Sequence, residues 1–387
     1  MQTLAEAWLV YRLTGSAALL GLAGFASQIP VLFLATLGGT VADRVNRRHI
    51  LIATQTSAMI LPLILATLVF TGRVQVWHVF TLASLLGVIN AFDMPARQAF
   101  VVEMVGKDDL VNAIALNSSI MNGARAIGPA VAGVLLAAVG EGWCFLLNGL
   151  SYIAVITGLL LMKMPARRPV ATAHTLRDAV DGFTFVRHTM PIRDLLLLVG
   201  LASFAGMSYS VLMPIFADSI LHGGARGLGL LMASAGAGSL CGALILASRS
   251  TVRGLGRIVG ASSLTFGTAL ILFAASRAFW LSAVLLFFVG LSMITHAAST
   301  NTLIQSMVPD TMRGRVMAIY AMMFVGMSPI GALAGGWIAE RIGAPHTVMI
   351  GGGICVVGAI VFNTRLPRLR TVARQLIDAQ RVDAGGD

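Results

Sequence analysis

The sequence predicts an all-α membrane protein made of two pseudo-symmetric six-helix bundles, with eleven full spans and a partial first helix. Three observations predict it. Of 387 residues, 57% are hydrophobic and 11% charged, with a mean hydropathy of +0.86, too little polar surface to clothe a water-soluble globule. The chain divides into long stretches free of Asp, Glu, Lys and Arg, and roughly 20 such residues cross a ~30 Å hydrocarbon core. The basic residues between these stretches are dense and sparse by turns, as on a chain that crosses a membrane repeatedly.

The spans follow in order. Met1–Leu13 ends like a first span but is too short to cross alone; it has neither a basic leader nor a small-residue cleavage site, so it is no secretory signal. The expectation is a first helix lacking its front half. Uncharged stretches then run 17–42, 49–72, 74–92, 142–162, 195–217, 227–248, 258–276, 278–309, 316–339 and 342–364, and 110–140 adds one more, interrupted by Arg125. Cys144, Cys241 and Cys355 all fall inside apolar stretches, which argues against a disulfide framework.

Orientation follows from the loops. If Met1–Leu13 exits outward, one face collects 21 of the 27 Lys and Arg residues, including Arg44, Arg47 and Arg48, the group from Lys163 to Arg193, and the tail from Arg365. The other face holds only Arg12, Arg73, Arg226, Arg277 and Arg341. The positive-inside rule makes the first face, and the C-terminus, cytoplasmic. The net charge of +11 is thereby a matter of membrane orientation, with no nucleic-acid partner expected.

The longest break between spans divides the chain. Residues 1–163 form an N-terminal bundle, 164–194 a cytosolic linker with an amphipathic helix carrying Val180, Phe183 and Phe185, 195–364 a six-helix C-terminal bundle, and 365–387 a cytosolic tail. Gly128-Pro129 is echoed by Ser328-Pro329 two hundred residues on, each followed by Gly-rich helix. Repeated halves of this kind suit carriers that rock about a central cavity.

Gly39-Thr-Val-Ala-Asp43-Arg44-Val-Asn-Arg47-Arg48 fills the turn between the second and third spans. Membrane anchoring would explain its arginines but not a lone Asp at a helix end. The stretch resembles the signature loop of the major facilitator superfamily, with Asn46 where a Gly is usual. Asn90 to Phe100, Asn112 to Ser119, Asn122 to Pro129 and Gln305 to Met317 resemble, more specifically, the enterobactin-exporter branch, the transmembrane secretion effector type. The likeness covers nearly the whole chain. It implies export of siderophores, macrolides or other drugs, usually against an inward proton flow. It also implies that Asp43 latches onto the helix starting near Arg315, and that Asp93 pairs with the loop's Arg. Asp93 and Arg97 can also pair on their own helix at i, i+4.

Gly128-Pro129 with Gly133 resembles the antiporter motif of the fifth span, the glycine falling one place late. Small residues let helices approach and Pro129 permits a bend, so ordinary packing is the bland alternative. Glu6 and Arg125 are costly inside a membrane and must each face a cavity or a partner. Together they are coupling candidates; a static ion pair is the alternative. No Arg stands in 81–87, where the superfamily usually carries one. Gln28, Asn90, Asn117, Asn148, Met207, Tyr209, His296, Asn301 and Gln305 are candidates to line a cavity, or they merely bond neighbouring helices. His296 stands out because imidazole changes charge near neutral pH.

The expectation is a secondary transporter in the bacterial inner membrane that exports an amphipathic small molecule by alternating access. No catalytic chemistry is evident, and no Gly-x-x-x-x-Gly-Lys loop is present to cradle ATP, so a proton gradient, and no cofactor or metal, is expected to supply the energy. The expected partners are the substrate and the bilayer, with the chain acting as a monomer. A lipid or lysolipid flippase on the same fold, and an inactive truncated protein, are the alternatives.

Overall fold

A computed structural model describes residues 1–105, 110–162, 176–249, 251 and 254–384, and shows helices joined by short turns with no strand among the described residues. Ten helices are long and apolar enough to cross a membrane. Large apolar side chains lie on their outer faces, as at Phe33, Leu160 and Val357. That distribution suits lipid as the solvent.

The chain gathers into two compact units. The first comprises Met1–Ala173 together with Met213–Ala233. Its α1 (Gln2–Thr14) stops at Gly15, whose φ of +62° lets its N–H bond back to the Tyr11 carbonyl. Ser16 caps α2 (Ala17–Arg44) by accepting from the Leu19 N–H, and Asn46 caps α3 (Arg47–Phe70) by accepting from the Arg48 N–H. α4 (Val76–Val105) lies against α2 so closely that a Cβ on Gly38 would sit 2.0 Å from the Ala91 carbonyl oxygen. α5 (Leu110–Leu161) is 52 residues long, but Gly140 at φ 82°, ψ 176° breaks it into two helical segments. The sequence's separate stretches 110–140 and 142–162 meet at that glycine, a conformation an L side chain would strain.

The second unit comprises His174–Leu212 and Ser234–Asp387. The linker helix α6 (Leu176–His188) buries Val186, leaves Phe183 exposed and seats Gly182 against the Arg315 side chain. Val180 lies outside the described side chains. α7 (Met190–Ile220) starts five residues earlier than its uncharged stretch, with Pro191 in its first turn, where proline is tolerated. It widens into π-helical turns at Ala202–Gly206 and Phe216–Ile220. Then come α8 (Gly224–Ala247), α9 (Leu255–Ala275), α10 (Phe279–Met307) and α11 (Thr311–Ile342), the last with a π-turn at Met322–Gly326. α12 (Ala344–Ala384) continues through most of the expected tail, burying Leu366 and Leu369. The core of this unit includes Ile192, Val199, Val259, Ile304 and Ile319.

The five tryptophans stand near helix ends. Trp8, Trp77, Trp143, Trp280 and Trp337 each stand within seven residues of a turn on the arginine-poor face. The Arg341 guanidinium stacks 3.8 Å from the Trp337 ring centre.

Candidate gating and coupling site

Within the first unit, the turn between α2 and α3 is tied down by its arginines. Arg47, the first residue of α3, lies largely buried and reaches back: its Nη2 is 3.5 Å from Asp43 Oδ1 and its Nε donates to the Ala42 carbonyl. Its Nη1 crosses to α4, donating to the Ala99 carbonyl and lying 3.4 Å from Glu103 Oε2. Arg48 donates to the Leu159 and Leu160 carbonyls at 2.7 Å each, where α5 ends. The last carbonyls of a helix have no partner inside it and carry its negative dipole end, so a guanidinium satisfies both needs. Gly39 lies one turn before Asp43, with open space where a Cβ would point.

Asp93, deep in α4, is 5% exposed and fully bonded. Its Oδ1 accepts from Thr54 Oγ1 at 2.8 Å and Gln55 Nε2 at 2.7 Å; its Oδ2 accepts from Arg97 Nε at 3.0 Å and Nη2 at 2.7 Å. A buried carboxylate survives on such terms. The partner of the loop's Arg on α4 is therefore Glu103, and Asp93 is held by α3 and by its own helix. Ten residues separate the two acids, about 15 Å along a helix, and the register of α3 against α4 presents the deeper one to Thr54 and Gln55. No local pattern marked Glu103.

Toward the other end of the unit, Glu6 is buried in α1 and accepts from Gln2 Nε2 at 2.8 Å; Asn148 Nδ2 in turn donates to Gln2 Oε1 at 2.8 Å. Asn148 thus joins Glu6 in one chain of bonds. The Arg125 and Asn117 side chains lie outside those described. Arg12 pairs with Glu141, and the Tyr11 hydroxyl donates to Asp218 Oδ2 at 3.0 Å and shares a 2.6 Å bond with Ser219. These contacts join segments as much as 208 residues apart and carry no sequence signature. Gly133 meets Gly229 backbone to backbone, a Cβ on it falling 2.3 Å from the Gly229 Cα, while a Cβ on Gly229 would also crowd the Pro129 carbonyl. Gly128 faces open space. Gln28 and Asn90 are half-buried.

In the second unit, His296 is 1% exposed, with the Val259 backbone as the polar group its ring approaches. The hydroxyls of Ser299 and Thr300, one turn along the same face of α10, are equally buried and without partners among the described residues. Tyr209 is buried, Met207 half-buried, and Gln305 donates to Asn301 at 2.7 Å.

The profile of the family described as "Transmembrane secretion effector" matches residues 1–384. The chain is 28% identical to the staphyloferrin A transporter of Staphylococcus aureus, over 94% of this chain and 92% of that one. It is 25% identical to the multidrug efflux pump Tap of Mycolicibacterium fortuitum, over 94% and 90%. The crystal structure of the nucleoside transporter NupG superposes with a TM-score of 0.70 at 15% identity, covering 94% of each chain, which is a likeness of fold.

Proposed function

Since the chain belongs to the transmembrane secretion effector family of major facilitator transporters, we propose that it exports an amphipathic small molecule, of the siderophore or drug class, by alternating access driven by inward proton flow. It is a multi-pass membrane transporter and not an enzyme. In the proposal it resides in the bacterial inner membrane with its C-terminus in the cytoplasm, as the basic loops favour.

The observation that carries the reading is Glu6, a carboxyl buried within a helix of the transporting bundle and bonded by the neutral amide of Gln2. A charge so placed is expensive and a bound proton removes it, which is what a coupling group needs. Asn148, linked through Gln2, gives the site a polar extension. The bonds of Arg47 to Asp43 and Glu103 order the loop, and in the proposal Asp43 latches it to the helix starting near Arg315 to hold one mouth closed.

Proteoliposomes test this. A pH gradient, acid inside the lumen, should drive accumulation of a siderophore or macrolide probe without ATP, and Glu6→Gln should abolish the gradient's effect while probe binding persists. ATP-dependent uptake with no gradient would overturn the proposal. A reporter fused after Asp387 and active only in the cytosol should be active in cells.

A further inference from the structure

A chain of polar side chains runs through the interior of the first unit. It starts at Glu6 on α1, where Gln2 Nε2 donates to the carboxyl at 2.8 Å, and passes to α5, where Asn148 Nδ2 donates to Gln2 Oε1 at 2.8 Å. Tyr152 lies four residues beyond Asn148, on the same face of the helix, and is half-buried. A second polar group stands on α4: Asp93, held by Thr54 and Gln55 of α3 and by Arg97.

Helix register brings Tyr152 and Asp93 level. Arg48 at the start of α3 meets Leu159 near the end of α5, while Leu63 meets Gly149, so these two run antiparallel. Arg47 meets Ala99 and Gln55 meets Asp93, so α3 and α4 run antiparallel too. The second segment of α5 therefore runs the same way as α4. Leu159 shares a buried cluster with Ala96 and Phe100. Tyr152 precedes Leu159 by seven residues and Asp93 precedes Phe100 by seven, which puts both two turns from that cluster in the same direction. The Asn148 amide is the polar group the Tyr152 hydroxyl approaches, and Asp93, Arg97 and Glu6 are the charges around it. The Met1 amine lies near Glu6 and Cys144. Of the other helices, α2 has no charged residue from 17 to 42, and α3 presents the neutral Thr54 and Gln55.

We propose that Tyr152 is a positioning residue that couples the protonation of Glu6 to the Asp93–Arg97 pair, by way of Gln2 and Asn148. A carboxylate only accepts, whereas a carboxylic acid also donates, and each amide has one accepting and one donating end. The buried acid proton needs an acceptor, and Gln2 Oε1 is the one the chain supplies. Gln2 then turns over and offers Nε2 to Asn148, which turns over in its place. The end of Asn148 that meets the Tyr152 hydroxyl changes from acceptor to donor, so the phenolic hydrogen swings toward the Asp93 carboxylate and competes with Arg97 for it. No proton passes along the amides. The proposal rests on Glu6 as the proton-binding group of the exporter.

Infrared difference spectra of the full chain reconstituted in lipid, recorded between acid and neutral pH, follow the carboxyl band of Glu6, with Glu6→Gln assigning it. In the wild-type background Arg97→Gln should change the proton affinity of Glu6 about fivefold, the low end of coupling between linked sites. In the Tyr152→Phe background, which keeps the ring and its packing, the same substitution should have less than about a twofold effect, the limit for independent sites. Asn148→Leu, which cuts the chain one link earlier, should likewise silence Arg97→Gln. An equal effect of Arg97→Gln in all three backgrounds, or none in the wild type, would overturn the role of Tyr152 while leaving Glu6 as the coupling group. A spectrum from which Glu6→Gln removes no carboxyl band would overturn the Glu6 reading and this proposal together.

Discussion

Asp93 and Arg48 show how differently two charged groups on one bundle can count. Asp93 balances three neighbours at once, so Asp93→Ala strands Thr54 and Gln55 indoors and releases Arg97. Breaking a buried network of this kind costs about 3–5 kcal/mol, and the variant should show a clearly lowered midpoint of thermal unfolding in detergent. Arg48 works at a helix end that water can reach. Arg48→Ala should cost only about 0.3–1 kcal/mol and leave the midpoint nearly unchanged. The signature loop was legible because Asp43 and Arg47 are four residues apart on contiguous chain. Glu103 was not, because its meeting with Arg47 depends on how two helices slide past each other, and neither residue's neighbours encode that register.

Among the elements, the meeting of α5 with the start of α8 gives the sharpest test of close packing. Gly133→Leu or Gly229→Leu must push two backbones apart, whereas Gly128→Ala adds a methyl to open space. The first two should abolish transport or folded yield in a membrane-fraction assay, and the third should behave as wild type. The sequence marked Gly133 as a packing residue through its neighbourhood to Pro129, but its partner lies on a distant helix and left no trace. The turn at Gly140 was legible in part. The apolar pattern stops there and resumes, yet a single positive φ, not a loop, separates the two helical segments. The π-turns of α7 and α11 had no signal at all, since one extra residue per turn leaves an apolar run apolar.

For the whole molecule, composition settled the solvent and the family likeness settled the fold, because uncharged length and motif are both properties of contiguous sequence. Division into units was less accessible. Residues 213–233 gather with the first unit although the linker precedes them, so spatial grouping cuts across α7 and α8 where the chain order offers no break. Exchange of amide hydrogens should follow this grouping: the outer part of α7 from Met213 should protect together with α1 and α5, not with the Ile192 to Val199 core. Uniform exchange along α7 would contradict the division.

The tryptophans make the arginine-poor ends optically distinct. With every indole within seven residues of a turn, ultraviolet emission from the reconstituted protein reports on the head-group region. Bromine near the carbonyl end of the acyl chains should therefore dim it strongly, and bromine at the methyl terminus should dim it little. The linker helix carries no indole, so one introduced there by Phe183→Trp would add a signal of its own.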